Sequence, residues 1–290
     1  MRIVIRADSG SHIGSGHVMR CLTLANALKL KGAEVSFVCR AFPKHMGEII
    51  LANGHQLYLL APPTRSIKTR PNPKQTPPHA TWLGESWETD LAQTQEALSG
   101  KYYDWLIIDH YSLDKRWERP MRKIASKVFV IDDLADREHD CELLLDQNLY
   151  ENMESRYNEL IPPACVKYLG PKYSLLRPEF RESRKHIRKR NGTIERILIF
   201  FGGSDPSNET VKALKSIELL DKQGIIVDVV VGEANPLSKK IQDLCNSLSN
   251  TNVHCQIKNI SELMANADLS IGAGGSVTWE RCAMGLPALV

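Results

Sequence analysis

Short apolar segments alternate with helix-like segments along nearly the whole chain, and this alternation constrains the fold more than any other feature. In the first half, residues 3–5, 35–39, 56–60, 105–108 and 128–131 are strand-like, and helix-like segments lie between them. In the second half the alternation begins again at residues 196–201. Alternation of this kind predicts βαβ units that form a parallel sheet flanked by helices, so the predicted fold class is α/β.

A chain of 290 residues exceeds one typical core, so two domains are expected. Residues 180–192 are rich in Arg and Lys and separate the two alternating series. We predict an N-terminal Rossmann-like domain at 1–182, a linker at 183–193 and a C-terminal Rossmann-like domain at 194–290. The charged run is typical of a solvated linker, and contact with phosphate or a membrane is the less favoured alternative. Residues 61–80 contain six prolines and are expected to form an extended or mobile surface loop.

Composition excludes several classes of protein. The 37 Lys and Arg residues against 34 Asp and Glu give a net charge of +3, which is too small to indicate a nucleic-acid partner. The seven cysteines are scattered without a CxxC spacing, which indicates reduced thiols rather than a zinc site or a disulfide framework. No apolar run is long enough to cross a bilayer, and no signal segment is evident. These features predict a cytoplasmic protein with no membrane partner.

A glycine-rich loop joins the first predicted strand to the first predicted helix. Residues 9–17 read SGSHIGSGH, so the glycines and His17 fall at a strand-to-helix turn. Such a turn allows close approach of a ligand, and the helix presents unpaired N–H groups to an anion. A helix N-terminus also disfavours imidazolium, so His17 is biased toward the neutral form that accepts a proton. A helix-capping polar loop with a surface histidine is the alternative, and this segment alone leaves both open.

Polar residues also follow other predicted strands. Asp109, His110 and Tyr111 come directly after strand 105–108, and Asp132 and Asp133 follow strand 128–131. In open α/β sheets, groups just beyond strand C-termini point into the crevice where ligands bind. The histidines and carboxylates lack the spacing of a metal site, and we predict that no metal is required.

Two glycine-rich turns in the second half each follow a strand and precede a helix. Residues 202–205 read GGSD and residues 272–276 read GAGGS, and both are candidate phosphate cradles. Neither is a Walker motif, and a dinucleotide fingerprint is missing after the first strand. Glu280 is placed to accept hydrogen bonds from ribose hydroxyls. The alternative is a carboxylate that only stabilises the first helical turn.

The order and spacing of these motifs resemble a known family across essentially the whole chain. The motifs are RADS at 6–9, IGSGH at 13–17 with Arg20, IDHY at 108–111, Asp132-Asp133, 139–148 with its final DQN, GGSD at 202–205, and IGAGGS at 271–276 with Trp279-Glu280. Together they are similar to the UDP-2,4-diacetamido-2,4,6-trideoxy-β-L-altropyranose hydrolases of pseudaminic acid biosynthesis, a route to flagellin and surface-polysaccharide glycans.

The resemblance implies a GT-B fold, two Rossmann-like domains facing each other across a cleft, as in the lipid II N-acetylglucosaminyltransferase. It also implies that UDP binds the C-terminal domain and that the sugar reaches the N-terminal loop. In this family the histidine that falls on His17 is the base of a metal-independent hydrolysis, and Tyr111 is an active-site group. Asp8 and Asp109 are expected to orient His17 or the sugar hydroxyls, because a leaving group as good as UDP does not need a catalytic carboxylate pair. The residues expected to bind substrate are Arg6, Asp8, Ser9, Gly14, Gly16, Arg20, Asn148, Gly203, Ser204, Asp205, Gly274, Gly275, Ser276 and Glu280.

The expected reaction is hydrolysis of the UDP-sugar with inversion, without a cofactor, and the expected partners are the substrate and neighbouring enzymes of the pathway. A GT-B glycosyltransferase with a UDP-sugar donor is the alternative. A UDP-sugar 2-epimerase and a catalytically silent nucleotide-sugar-binding protein are further alternatives. GT-B chains normally continue beyond a strand such as residues 286–290, so the C-terminal domain is expected to be incomplete at Val290.

Overall fold

The structure, a computed structural model, describes residues 1–64, 77–203, 205–220, 224–232, 235–255, 257 and 259–290. It divides into two compact units, Met1–Leu175 and Leu176–Val290. Both are α/β units with all-parallel sheets, as the alternation predicts. Ser204 and residues 65–76 of the proline-rich segment lie outside the described residues.

Among the residues that the structure describes, the first unit contains seven strands and four α-helices. The strands are β1 Arg2–Ala7, β2 Glu34–Arg40, β3 Gln56–Leu60, β4 Tyr103–Asp109, β5 Ala125–Ile131, β6 Leu143–Asp146 and β7 Val166–Leu169. The helices of this unit are α1 Gly16–Leu30, α2 Gly47–Ala52, α3 Trp87–Ala97 and α4 Lys115–Met121, and the fifth helix, α5 Pro178–Arg184, belongs to the second unit. Short 3₁₀ helices form at Ala80–Leu83 and Pro171–Tyr173.

The strand order of the first sheet is β3-β2-β1-β4-β5-β6-β7, so the chain reverses its direction of growth between β1 and β4. Within that pair Ala7 lies opposite Asp109. This is the topological switch point, where loops leaving adjacent strands diverge and open a crevice at the carboxyl edge. The residues that follow β1 and β4 are therefore placed beside each other by topology alone.

Both faces of this sheet are buried, which explains why its strands read as continuous apolar runs. Val4 and Leu106 pack with Trp117 of α4 on one face. Ile3 and Ile5 pack with residues of α1 on the other. Successive side chains of a strand point to opposite faces, so one short run such as residues 3–5 supplies both cores.

The second unit repeats the same architecture with fewer strands. Its elements after α5 are β8 Arg196–Phe200, α6 Glu209–Leu220, β9 Ile226–Val231, α7 Ser238–Ser247, β10 Thr251–Cys255, α8 Ile260–Asn266, β11 Leu269–Gly272, α9 Val277–Ala283 and β12 Ala288–Leu289. The strand order is β10-β9-β8-β11-β12, which puts the switch point between β8 and β11. The two glycine-rich turns are the loops that leave these two strands.

The boundary between the units lies nearer the N-terminus than the linker expected at 183–193. Phe180 of α5 is buried in the core of the second unit with Met264 and Met284, so this helix is part of that unit. The arginines of the charged run are also used there. Arg190 donates hydrogen bonds to the carbonyl oxygens of Met264, Ala267, Met284 and Gly285, and Arg188 pairs with Asp268. These two arginines of the predicted linker thus contact the second unit, and Arg188 keeps 44% of its side chain exposed to solvent.

Two strands and a helix end were not anticipated. β6 and β7 are four residues each, too short for the apolar periodicity to separate from loop. The sequence also predicts a helix over 115–126, but α4 ends at Met121, because Pro120 removes a backbone donor near its end and β5 begins at Ala125. Among the described helices, none has the length and apolar character that a membrane span requires.

Candidate active site

His17 and Asp109 form a hydrogen-bonded pair at the switch point of the first sheet. His17 is the second residue of α1, and Asp109 is the last residue of β4. The His17 Nδ1 atom lies 2.6 Å from Asp109 Oδ1. Asp109 is fully buried, and His17 keeps 8% of its surface exposed. The helix start and the strand end predicted from sequence are thus brought together by the fold.

The charges around Asp109 fix the role of each His17 nitrogen. Burial opposes ionisation of Asp109, but Arg20 and His17 outweigh it and hold the pKa of the carboxyl well below its usual range. The ionised carboxylate accepts a hydrogen bond from the Nδ1–H group, so in the tautomer that this bond selects the free lone pair of the ring is on Nε2. Within the part of the chain that the structure describes, Nε2 makes no hydrogen bond. The arrangement can therefore accept a proton at Nε2.

Arg20 connects this pair to a second carboxylate. Its Nε lies 2.6 Å from Asp109 Oδ2, and its Nη1 lies 3.1 Å from Asp133 Oδ2. A contact of 3.3 Å from Nη2 to His17 Nδ1 is longer than the 2.6 Å contact of Nδ1 with Asp109, so the carboxylate is the stronger partner. Arg20 was predicted to bind substrate. In the structure its guanidinium is nearly buried. It bridges the carboxylate of Asp109, at the end of β4, and that of Asp133, which follows β5.

Tyr111 contacts His17 through its ring and Asp133 through its hydroxyl. The rings of His17 and Tyr111 meet edge to face, with centroids 4.6 Å apart. The hydroxyl donates to Asp133 Oδ1 at 2.6 Å. Burial and the neighbouring Asp133 raise the pKa of the phenol, so it stays protonated at neutral pH. Tyr111 therefore can position groups and donate a hydrogen bond, but it cannot serve as a base.

Two aromatic residues beside this pair were missed by the sequence analysis. Trp82 lies with its ring centroid 6.3 Å from His17 and 5.7 Å from Tyr111, and His79 lies 4.9 Å from Trp82. Ser112 Oγ donates to the carbonyl of His79, which ties this segment to the end of β4. His79 lies at the end of the proline-rich stretch and Trp82 just beyond it, and neither belongs to a motif, so the sequence offered no signal for their position.

Arg6, near the end of β1, and Asp8, which follows β1, belong to a buried ionic cluster with Arg40 and Asp90. Arg6 Nη1 donates to Asp8 Oδ1 at 2.6 Å, and its Nη2 donates to Asp90 Oδ2 at 2.7 Å. Arg40 Nη2 donates to the same Asp90 oxygen at 2.6 Å. The side chains of all four residues are fully buried. Arg6 and Asp8 were predicted to bind substrate, but here they are enclosed and paired with each other.

His110 joins this cluster to the loop after β4. Its Nδ1 accepts a hydrogen bond from the backbone N–H of Ser112, so the proton is on Nε2, which donates to Asp8 Oδ2 at 3.1 Å. Burial lowers the pKa of His110 although Asp8 opposes the shift, and the ring is neutral. Burial also disfavours the Asp8 carboxylate, but Arg6 and His110 hold its pKa well below the usual range.

The glycine-rich loop after β1 is held by its own backbone. Gly10 and Gly14 exchange two backbone hydrogen bonds, of 3.2 and 2.8 Å. Gly14 has φ +82°, a left-handed conformation that favours glycine. Ser9 Oγ accepts from the backbone N–H of Met46, and no side chain caps the start of α1 at Gly16. Within the described residues the N–H groups of this first turn therefore have no side-chain cap, and the binding of an anion by residues 9–17 stays a prediction.

Asn148 lies in a loop that supports Asp133. Its backbone N–H donates to Asp146 Oδ1 at 2.9 Å. Arg156 pairs with Asp146 Oδ2 and also donates to the carbonyl oxygen of Asp133. Tyr150 donates to that same carbonyl at 3.1 Å. The loop that carries Asn148 is therefore connected to His17 through Asp133 and Arg20.

In the second unit, Asp205 is a helix cap. Its two carboxylate oxygens each accept a backbone hydrogen bond of 2.9 Å, from Glu209 and Thr210 at the start of α6. Gly203 lies so close to Gly232 that a Cβ on Gly232 would stand 2.2 Å from the Gly203 carbonyl oxygen. The capping of α6 uses the side chain that was predicted to bind substrate. The backbone of Gly203 nonetheless lies in the loop leaving β8.

The second glycine-rich loop leads from β11 into α9 through Gly274, Gly275 and Ser276. Gly275 has φ +85°, and a Cβ on Gly274 would meet no protein atom closer than 4.0 Å. Ser276 is the N-cap residue of α9 and makes no side-chain cap hydrogen bond. This loop presents open backbone next to the switch point of the second sheet.

Glu280 follows one turn into α9 and is mostly buried, with 14% of its side chain exposed. Arg177 donates to Glu280 Oε1 through Nε at 3.3 Å and Nη2 at 3.1 Å. Burial raises the pKa of Glu280, and Arg177 opposes this shift. The neighbouring Arg281 donates to the carbonyl of Ala273 at 2.9 Å and so braces the loop from within. Within the described ranges, His, Cys, Asp and Glu side chains form no group of three that could hold a metal.

The two parallel, doubly wound units define a GT-B protein, and the comparison with solved structures confirms this fold. The crystal structure of UGT89C1 of Arabidopsis thaliana, complexed with UDP-L-rhamnose, is similar over 100% of this chain and 78% of that one. Its TM-score is 0.63 at 12% sequence identity. Residues 197–290 match the model of the glycosyltransferase family 28 C-terminal domain. That match covers the second sheet and both of its glycine-rich loops.

Among curated proteins, the chain is 25% identical over 281 residues to the UDP-2,4-diacetamido-2,4,6-trideoxy-β-L-altropyranose hydrolase of Campylobacter jejuni. The match covers 97% of this chain and 87% of the relative. It confirms the resemblance that the motifs indicated. The chain is also 26% identical over 298 residues to the uncharacterized protein MJ1062 of Methanocaldococcus jannaschii. There the match covers 100% of this chain, which spans 55% of that relative's length.

Proposed function

We propose that this chain hydrolyses a UDP-linked 2,4-diacetamido-2,4,6-trideoxy-β-L-altrose to UDP and the free sugar. Water attacks the anomeric carbon while the bond from that carbon to the phosphate oxygen breaks. The proton of the water passes to His17 Nε2, and UDP leaves from the opposite side. A single displacement of this kind inverts the anomeric configuration.

The observation that carries the proposal is the 2.6 Å hydrogen bond between His17 Nδ1 and Asp109. It orients the imidazole so that Nε2 is available to a water molecule. Asp109 acts by holding the ring, and Arg20 and Tyr111 complete its surroundings. The similarity to the Campylobacter hydrolase supports the same reaction. Because UDP is a good leaving group, the proposed step needs neither a carboxylate pair nor a metal.

The second unit is proposed to bind the UDP moiety. Backbone N–H groups of Gly203, Gly274 and Gly275 and the start of α9 at Ser276 would receive the diphosphate, and Glu280 the ribose hydroxyls. The family 28 match over residues 197–290 supports this assignment, and so does the complex of UGT89C1 with a UDP-sugar. The residues proposed to contact the sugar are Ser9, Gly14, Gly16 and Asn148. Arg6 and Asp8 are proposed to have a structural role: they pair with each other, and Asp8 also accepts a hydrogen bond from His110 in the loop after β4.

The reaction is tested by incubating the chain with the UDP-linked altrose derivative and following UDP release and the anomeric proton signals. We expect UDP and the free sugar in equal amounts without any acceptor, with inverted configuration in the first product formed, and no loss of rate in EDTA. UDP-N-acetylglucosamine in a parallel reaction reports specificity. Release of a C2-epimerised sugar would instead identify a UDP-sugar 2-epimerase.

A GT-B glycosyltransferase is the second candidate, and the family 28 match favours it specifically. It would share the nucleotide site and pass the sugar to an acceptor hydroxyl. The same assay separates the two, because a transferase would hold its UDP-sugar intact until an acceptor is supplied. Binding of UDP with no turnover under either condition would point to a silent nucleotide-sugar-binding protein.

Replacing Glu280 with alanine is expected to weaken UDP binding by about 1–3 kcal/mol, since ribose hydroxyls would lose a charged acceptor. This is about 5-fold to 150-fold in the dissociation constant, measured by calorimetry. Arg177 remains paired with Glu179 at 2.8 Å, so no lone charge is created. Glu262→Ala, in the first turn of α8, is the matched control and should leave UDP binding unaltered. Equal affinity in both variants would contradict the ribose assignment.

A further inference from the structure

Two thiols lie in contact at the far edge of the first sheet, away from the His17 pair. Cys141 Sγ and Cys165 Sγ are 3.6 Å apart. Cys165 directly precedes β7, and Cys141 lies two residues before β6, the parallel neighbour of β7. The backbone N–H of Val166 donates to the carbonyl of Glu142 at 2.9 Å, so the chain segments that carry the thiols are held side by side.

The surroundings make the two thiols unequal. A hydrogen bond from Cys141 lowers the pKa of Cys165, and Lys167 adds to this, although burial and Glu142 oppose it. The hydrogen bond and burial raise the pKa of Cys141. Cys165 is half-buried, so a small reagent can reach it, whereas Cys141 is enclosed. Cys165 is therefore an accessible nucleophile, and Cys141 is a protonated thiol in contact with it.

The remaining buried cysteines lack this arrangement. Burial raises the pKa of Cys21, Cys39 and Cys245, which makes these thiols poor nucleophiles. Cys255 and Cys282 are exposed. These two exposed thiols are internal references for accessibility alone in an oxidation experiment.

We propose that Cys141 and Cys165 form a peroxide-oxidised thiol pair, in which Cys165 reacts first and Cys141 then closes an intramolecular disulfide. An S–S bond is about 2.05 Å long, so the sulfurs must approach by about 1.5 Å from their present contact. The proposal is independent of the function assigned to His17.

The chemistry balances with a hydroperoxide as the oxidant. The Cys165 thiolate attacks one peroxide oxygen, the O–O bond breaks, and an alcohol or water leaves after taking up a proton. Cys165 is thereby oxidised by two electrons to a sulfenic acid. The Cys141 sulfur then attacks the Cys165 sulfur, the S–O bond breaks, and the released hydroxide takes the Cys141 proton to form water. The net change is two thiols and one hydroperoxide to a disulfide, an alcohol or water, and one water.

The disulfide would close a segment that supports the candidate active site. Residues 142–164 include Tyr150 and Arg156, which donate to the carbonyl of Asp133, and Tyr157, which donates to Asp132. Asp133 in turn contacts Arg20 and Tyr111. A covalent bond at the base of this segment restricts the unfolded chain, so oxidation is expected to raise the melting temperature of the first unit by about 5 °C.

The test uses the full chain, fully reduced and freed of reductant, and then exposed to a few equivalents of hydrogen peroxide. After alkylation of the remaining thiols and proteolysis, we expect a disulfide-linked pair of peptides carrying Cys141 and Cys165. In Cys141→Ser, the sulfenic acid at Cys165 has no partner and should be trapped by dimedone. In Cys165→Ser, Cys141 should stay alkylatable. Cys282→Ser is the matched control and should give the wild-type peptide map and melting shift.

The peptide map of the wild-type chain shows whether the Cys141–Cys165 disulfide forms, even if a variant at buried Cys141 fails to fold. Recovery of Cys141 and Cys165 as alkylated thiols, at a peroxide dose that oxidises Cys255 or Cys282, would overturn the proposal. So would linkage of either cysteine mainly to an exposed cysteine, or to another copy of the chain on a non-reducing gel.

Discussion

Replacing His17 with alanine is expected to lower the rate of UDP release by about 100-fold or more, the scale for loss of a general base. The imidazole is held at Nδ1 by Asp109 and offers Nε2 to water, so the substitution removes the proton acceptor. UDP affinity, measured by calorimetry, should stay nearly unchanged because the nucleotide is assigned to the second unit. Turnover close to wild type in His17→Ala would contradict the role of base.

A double-mutant cycle measures whether Asp109 affects the rate through its contact with His17 or by a separate route. If Asp109 acts only through His17, Asp109→Asn lowers the rate in the wild-type chain but adds little in the His17→Ala background. A merely structural effect of Asp109→Asn would add in full to both. His55→Gln is a suitable control, because His55 is another buried histidine of the first unit, hydrogen-bonded to Asn26 at 2.7 Å. Its turnover should match that of the wild type.

Much of the fold could be predicted because local signals and topology agree. A strand buried on both faces reads as an apolar run, and residues 3–5, 105–108 and 197–199 do so clearly. Once the strands are parallel, the groups at their carboxyl ends must meet at one edge. This is why His17 and Asp109, 92 positions apart, could both be selected from sequence. The sequence left open whether Asp109 contacts His17 or the sugar hydroxyls, because the hydrogen bond to His17 depends on β4 lying beside β1 in the sheet.

The rest of the site depends on long-range contacts that leave no local pattern. Asp90 lies in α3 with nothing in its neighbourhood to suggest chemistry, yet it pairs with Arg6 and Arg40. Trp82 reaches His17 only because the backbone returns to the end of β4 after the proline-rich segment. The burial of Arg6 and Asp8 could not be predicted either, because charged residues at the end of a strand are also typical of a ligand site.

The second unit shows a different limit. Glycine-rich turns after β8 and β11 were evident from sequence, because positive φ and close backbone approach demand glycine there. The sequence could not distinguish a side chain that caps a helix from one that binds a ligand. Asp205 is a cap, and Glu280 is paired with Arg177. Glycines report backbone geometry well, whereas a carboxylate in the same loop has several equally favourable partners.

Arg6→Met is expected to cost about 3–5 kcal/mol of unfolding free energy, the scale for removing one partner from a buried ion pair. Arg6 lies between Asp8 and Asp90 with no solvent access, and methionine keeps much of its volume without its charge. Asp8 would then retain His110 and the backbone N–H of Arg40, and Asp90 would retain Arg40. These contacts leave the cluster with one uncompensated negative charge in a medium that stabilises it poorly.

The matched control for this prediction is Arg2→Met on the same strand. Arg2 pairs with Glu34 at 3.4 Å, but the two side chains are 62% and 72% exposed, so the expected cost is about 0–1 kcal/mol. Urea unfolding followed by tryptophan fluorescence reports mainly the first unit, because four of the five tryptophans lie there. A midpoint shift in Arg6→Met no larger than in Arg2→Met would mean that the desolvation of Arg6 already cancels its attraction to the two carboxylates.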